Sequence, residues 1–220
     1  MPEIFISREL ISRCPKLRLG CIEANVRVAA SGDSLLSEIG ERLVLLQQSL
    51  HIEEISKIPV IEAARKAYRA CGKDPARYRL SAEALLRRVV SGKGLYQINN
   101  VVDQLNLVSA TSGFSIGGYD AGKIKNTITF GIGLADEPYT GIGRGRLNIE
   151  NLPVFRDDAG AFGTPTSDSQ RTEVTGETIH FLMILIDFGS HDQLEEAMEM
   201  SVRLLKEHCQ ATHINAYNIS

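Results

Sequence analysis

The run Ile179 to Phe188 constrains this chain more than any other feature, because it is apolar at nearly every position. A strand that shows one face to water alternates polar and apolar residues, whereas a continuous apolar run must be covered on both faces. The chain therefore needs a layer on each side of this strand. Other segments can supply those layers. Leu17 to Val28 reads as one or two short strands after an irregular start, and Ile124 to Leu134 and Leu152 to Phe155 read as further strands. Helical spacing runs through Leu35, Leu36, Ile39, Leu43, Leu46 and Leu50, with Asp33 or Ser34 as the cap. A second helix starts near Pro59 and stops at Gly72. Ser81 caps a third, with Leu80 and Leu85 as a hydrophobic staple, which runs to about Ser91 and the loop Gly92-Lys93-Gly94. A fourth follows Asn99 or Asn100 and ends near Gly113, ahead of a turn-rich loop from Ile116 to Gly122. Ser190 and Gln193 form a capping-box pattern before a closing helix over 190–209. Loops at Thr140–Asn148 and Asp157–Thr172 interrupt the strand region. Helices early, strands late and a closing helix predict one mixed α/β (α+β) domain over 1–220, built in layers.

The overall charge of −3 carries no polyanion signature, but its distribution is uneven. Nine basic residues and two acids lie between Arg65 and Lys93, which leaves the remainder about −10. Such a stretch suits a phosphate-backbone footprint or, more blandly, two helices with solvated cations. Four scattered cysteines with no Cys-x-x-Cys pair predict small buried thiols in a reducing compartment. No apolar segment approaches membrane-spanning length. The start Met1-Pro2-Glu3 has no basic region ahead of an apolar core, so the expectation is a cytoplasmic chain without a membrane partner.

No cofactor or metal is expected. Gly117-x-x-x-x-Gly122-Lys123 has phosphate-loop spacing, but Ile124 stands where a metal-binding Ser or Thr is needed and no helix follows. Gly141-Ile-Gly-Arg-Gly-Arg146 lacks dinucleotide spacing and reads as a flexible loop with two cations. His208, Cys209 and His213 lack a fourth ligand of plausible spacing. On the fourth helix, Asn99, Asp103, Asn106 and Ala110 share one face. That face could bond a ligand amine or hydroxyl, or could do no more than cap the helix.

The segments Arg79-Leu-Ser-Ala-Glu-Ala-Leu-Leu-Arg-Arg88, Gly92-Lys-Gly-Leu95, Ile98-Asn-Asn-Val-Val-Asp-Gln-Leu-Asn106 and Ile116-Gly-Gly-Tyr-Asp120 are specific as a set. In that order they resemble the tRNA-binding and editing (B-three/B-four) domain of the phenylalanyl-tRNA synthetase β subunit, and freestanding proteins built from it. The resemblance is strongest over 79–132 and continues more weakly to 188. It implies a β-sandwich-like sheet with surrounding helices, and a cleft where the synthetase hydrolyses tyrosine wrongly attached to its tRNA. By position, Asp103, Asn106, Gly117, Gly118, Tyr119 and Asp120 match the motif around that cleft, and Gln170, Arg171, Thr172, Glu177 and Thr178 its later wall; Asn99, on the same helix face as Asp103, joins them as an expected substrate-binding residue. The synthetase turn usually carries a histidine where this chain has Gly117, and the acid that recognises the tyrosine hydroxyl corresponds to Gln170.

The resemblance implies a tRNA-binding protein without aminoacylation activity, and a trans-acting hydrolase of misacylated tRNA if it is an enzyme. Backbone amides at Gly117 and Gly118 would then steady the oxyanion, and Asp103 and Asn106 would hold the ammonium or terminal adenosine. Arg65, Arg69, Lys73, Arg77, Arg79, Arg87, Arg88 and Lys93 would meet phosphates, with Tyr68, Tyr78 or Tyr96 for stacking. The alternative is a non-catalytic binder of a free amino acid or small amine-bearing metabolite in the same cleft.

Overall fold

A computed structural model describes residues 2–190 and 193–220. In chain order the elements are β1 (Ile4–Ile6), α1 (Arg8–Arg13), β2 (Arg18–Asn25), α2 (Asp33–Ser49), α3 (Pro59–Ala70), α4 (Ser81–Val90) and α5 (Asn100–Ser112). There follow β3 (Ser115–Asp120), β4 (Ile128–Ile132), β5 (Thr140–Gly141), β6 (Gly145–Arg146), β7 (Pro153–Asp157), β8 (Gly160–Gly163), β9 (His180–Asp187), α6 (Leu194–His208) and β10 (Thr212–Ile219). Among the described residues no helix is long and apolar enough to cross a membrane.

Two four-stranded sheets stack face to face. One has the order β1-β4-β7-β8 and the other β10-β2-β9-β3. The apolar strand β9 lies inside the second sheet, between β2 and β3. Its two faces explain its composition. Leu182, Ile184 and Ile186 enter the core between the sheets, beside Phe130, Phe155 and Phe162. Phe181, Met183 and Leu185 enter a second core, beside Val101 and Val108 of α5 and Leu205 of α6. Each such side chain contributes about 1.5–3 kcal/mol when fully removed from water. The architecture is a β-sandwich with helices over the outer face of one sheet.

Local signals place the helix ends well in several cases. Pro59 sits in the first turn of α3, Gly72 takes φ 87° beyond its end, Asn99 Oδ1 accepts from the Val102 amide at 2.9 Å, and Gly113 closes α5 at φ 79°. Other expectations need correction. The cap position of α2 is Gly32, with no side-chain bond. Ser81 is the first helical residue of α4, and Leu80 occupies the cap position. Gln193 precedes α6 without capping it, and the Ser190 hydroxyl donates to Asp187 instead. The expected capping box also spans 191–192, outside the described residues.

Six strands were not expected as such, among them the short β5 and β6 inside the expected Thr140–Asn148 loop. Ile116 to Gly122 is strand over most of its length, because β3 pairs with β9 from Ser115 to Asp120. A Gly-Gly pair has no side chains through which alternation could be read. The irregular start holds β1 and α1, in which Leu10 is the only buried residue of α1. The loop after Asp157 contains β8, and β10 follows the closing helix with a half-exposed, weakly patterned face.

Candidate nucleic-acid interface

The basic segment divides into cations that build the fold and cations that line a surface. Glu83 of α4 is buried, and it takes Arg65 at 2.8 Å and Arg87 at 3.1 Å. Lys73 is 8% exposed; its ammonium donates to the carbonyls of Asn148 and Glu150 and lies 3.9 Å over the Tyr78 ring. Burial holds the Lys73 pKa below its ordinary value. Arg65 and Lys73 are thus framework. Arg69 and Arg77 are exposed, and Arg77 flanks Tyr78.

The remaining four converge. Arg79, Arg87, Arg88 and Lys93 line one hollow of about 380 Å³ together with Tyr96, Arg144 and Thr166, and no carboxylate lines it. Helix geometry places Arg87 and Arg88 in the last turn of α4, where cations complement the helix C-terminus. The Arg88 guanidinium sits 3.9 Å over the Tyr96 ring, and Tyr96 is 56% exposed. Tyr68, by contrast, is fully buried with its hydroxyl bonded to Thr166, and Tyr78 is covered by Lys73. Among the expected stacking residues only Tyr96 presents an open face. Arg144 comes from the Gly-rich turn between β5 and β6, which the sequence offered only as a flexible loop with cations.

The hollow is joined to β3 through the loop that carries Thr166. Two residues on, Asp168 accepts the Gly118 amide at 3.1 Å, and its own carbonyl accepts the Ile142 amide from the Arg144 turn. Burial of the carboxyl end pushes Asp168 up to about 7, opposed by the Gly118 amide and the Tyr119 hydroxyl. The Tyr119 hydroxyl faces Asp168 without closing a regular hydrogen bond. Nothing in the sequence marked Asp168, which lies in an unpatterned polar loop.

The glycines of β3 serve packing. A first side-chain carbon at Gly117 would lie 1.9 Å from the Tyr119 hydroxyl, and one at Gly163 would lie 2.1 Å from it. These two glycines form the slot that holds the Tyr119 ring end, which packs edge-on to Phe162 with centroids 4.9 Å apart. At Gly118 the added carbon would meet Leu105 at 2.5 Å on the opposite face. With its amide taken by Asp168, Gly118 is not a free oxyanion donor in this arrangement.

The other expected residues fall into separate networks. Asp103 is buried and accepts Ser31 Oγ at 2.6 Å and the Ile98 amide at 2.8 Å, so with Asn99 it fastens the start of α5. Asn106 is half-buried on the same helix. Asp120 accepts Thr178 Oγ1 at 2.9 Å and lies 3.5 Å from Lys123. Arg171 forks onto Asp157 at 2.7 and 3.1 Å, and Thr172 is buried beside it. Gln170 and Glu177 are exposed. Asn100, which the sequence offered only as a helix start, bonds Ala29, Arg27 and His208 across the start of α5.

With that geometry in place, the chain can be set beside known proteins. A family model of the B3/4 domain matches residues 63–210, and the chain belongs to that family. A solved structure, an N-terminal fragment of the phenylalanyl-tRNA synthetase β subunit from Pyrococcus horikoshii, shares the fold with a TM-score of 0.51 at 15% identity. The alignment covers 99% of this chain and 54% of the fragment, so the chain spans about half of that fragment's length. Among curated proteins none matches.

Proposed function

We propose that this B3/4-domain chain binds RNA at the cationic hollow, with tRNA as its substrate class. The supporting observation is the convergence of Arg79, Arg87, Arg88, Lys93 and Arg144 around one concavity that no carboxylate lines. Phosphates would be held by the arginines and lysine, and an unpaired base would stack on the open face of Tyr96. The relation to a synthetase fragment supports tRNA over other RNAs. The test is binding of bulk tRNA across a salt series, by the native chain and by Arg88→Ala with Lys93→Ala. The expected result is a steep loss of affinity with salt, with the log–log slope reduced by about 1 for each phosphate contact removed. A native chain whose binding ignores salt would remove this reading.

A second reading, ester hydrolysis on an aminoacylated tRNA, is favoured by one observation. Asp168, adjoining the hollow through Thr166, titrates at about 7 and so suits a general base near neutral pH. For the Gly118 amide to hold an oxyanion, Asp168 would have to release it. Deacylation of a panel of misacylated tRNAs separates the two readings. If none is cleaved faster than it decays spontaneously, binding stands alone.

A further inference from the structure

The two edges of the β10-β2-β9-β3 sheet are treated differently. The β3 edge is closed by the Thr164–Ser169 loop, through the bond from Gly118 to Asp168. The β10 edge is open: among the described residues only β2 pairs with it. Folded chains usually blunt such an edge with charged residues, proline or a bulge. A bulge interrupts β10 between Thr212 and Asn215, but Asn215–Ile219 pair with β2 in unbroken register, and the eight residues Thr212–Ile219 contain no Asp, Glu, Lys, Arg or Pro. Beside this edge lies a groove of about 550 Å³ between β10 and α6, floored by Met198, Val202, Ala216 and Tyr217.

The helix beside the groove carries a self-complementary charge stripe. Glu195, Glu199, Val202 and Lys206 follow at helical spacing, acidic at one end and basic at the other, and all line the groove. Glu195 is engaged by Asn218, and Arg203 is held by Glu38 and Glu207. Glu199 and Lys206 form no ion pair among the described residues. A two-fold axis near Val202 would bring Glu199 of each copy to Lys206 of the other.

We infer that a second copy of this chain docks here, by antiparallel pairing of β10 with β10, with α6 facing α6 across the two joined grooves. α6 packs across β9, β2 and β10 and is seated on β2, where a carbon added at Gly20 would meet Met198 Sδ at 2.6 Å. With strands about 4.8 Å apart, a helix over β2 lies about 7 Å from an axis beyond β10, and its symmetry mate about 14 Å away. That is wider than the roughly 8–10 Å of direct helix packing, so the strands make the backbone contact and the long side chains of Glu199 and Lys206 span the trough between the helices. The pairing is isologous and closes after two copies. It is independent of the RNA reading, because none of its residues lines the hollow.

The test uses sedimentation of the native chain, of Glu199→Lys and of Lys206→Glu, each alone and mixed. The native chain is expected to be a dimer. Each variant places like charges opposite each other twice, so its dimer should dissociate roughly tenfold or more readily. Mixing the two variants restores both opposite-charge pairs and should recover a heterodimer, which also proves that each variant is folded. A monomeric native chain, or a dimer untouched by both reversals, overturns the inference.

Discussion

Lys73 and Lys93 lie in the same basic stretch and perform opposite tasks. Lys73 is folded inward, its ammonium satisfied by two carbonyls and a tyrosine ring. Lys93 stays in water and lines a hollow with four arginines. Arg65 and Arg88 repeat the contrast, the first tied to buried Glu83 and the second laid over an exposed ring. A cluster of cations in sequence is therefore not one electrostatic object. Those whose charge is matched inside stabilise the fold, and those left unmatched at the surface remain available to an anion; Arg87, paired with Glu83 and lining the hollow, stands between the two groups. Substitution should separate the two groups cleanly, one through stability and the other through salt-dependent binding.

The largest effect is expected at the anion that holds the inner group. Glu83→Ala strands Arg65 beside a buried site and frees Arg87, and loss of one partner from a buried pair costs about 3–5 kcal/mol. Chemical denaturation should show that loss. If Glu83→Ala is instead neutral, the pair is solvated and the distinction between inner and outer cations fails.

Asp168 is the counter-case, a charge enclosed with too few donors. Its carboxyl titrates at about 7 in the fold and at about 3.9 in an unfolded chain. Below both values it is protonated in either state and costs nothing. Between them the folded chain keeps a proton that the unfolded chain gives up, so stability falls as pH rises, and the penalty is complete above about 7. The pKa difference corresponds to a penalty on the order of 4 kcal/mol. Asp168→Asn keeps an acceptor for the Gly118 amide and should recover roughly 2–3 kcal/mol at pH 8 and almost nothing at pH 3. A variant with no gain at pH 8 would mean that the carboxylate is already well accommodated.

Lys73→Met comes next. It leaves the Asn148 and Glu150 carbonyls without their donor, at a cost of about 1–3 kcal/mol, while the affinity of the folded fraction for tRNA stays unchanged. A change in the salt slope of that variant would move Lys73 into the outer group.

What could be read in the sequence was what is decided locally. Pro59, Asn99 and Gly113 mark helix ends by their own backbone chemistry, and the apolar run of β9 announces two covered faces whatever its neighbours are. What could not be read depends on distant segments. β3 is a strand because β9 pairs with it, and Gly117 is glycine because Tyr119 and Gly163 close around the same point. The expected wall residues Arg171 and Thr178 turned out to bond Asp157 and Asp120, partners found only by folding the chain back. Asp168 and Arg144 come from polar loops with no periodicity, and only the paired amides and carbonyls of those loops bring them beside α4. Charge segregation pointed to α4, but the loop that completes its cationic hollow lies about fifty residues further along the chain.

That distance supplies the finest test of the contrast, with the smallest effect on stability. Arg69 belongs to the basic stretch but lies outside the hollow; Arg144 lies outside the stretch but lines the hollow. No hydrogen bond or ion pair holds either side chain among the described residues, so Arg69→Ala and Arg144→Ala should each change stability by no more than about 0.5 kcal/mol. If charge density along the chain governs RNA affinity, Arg69→Ala is the more damaging. If the folded hollow governs it, Arg144→Ala lowers the salt slope by about 1 and Arg69→Ala leaves it alone. The second outcome is expected, because only a cation held within reach of the same phosphates as Arg88 and Lys93 displaces counterions with them. Parallel salt titrations of the two variants against one tRNA preparation decide it, and equal slopes for both would place the RNA elsewhere.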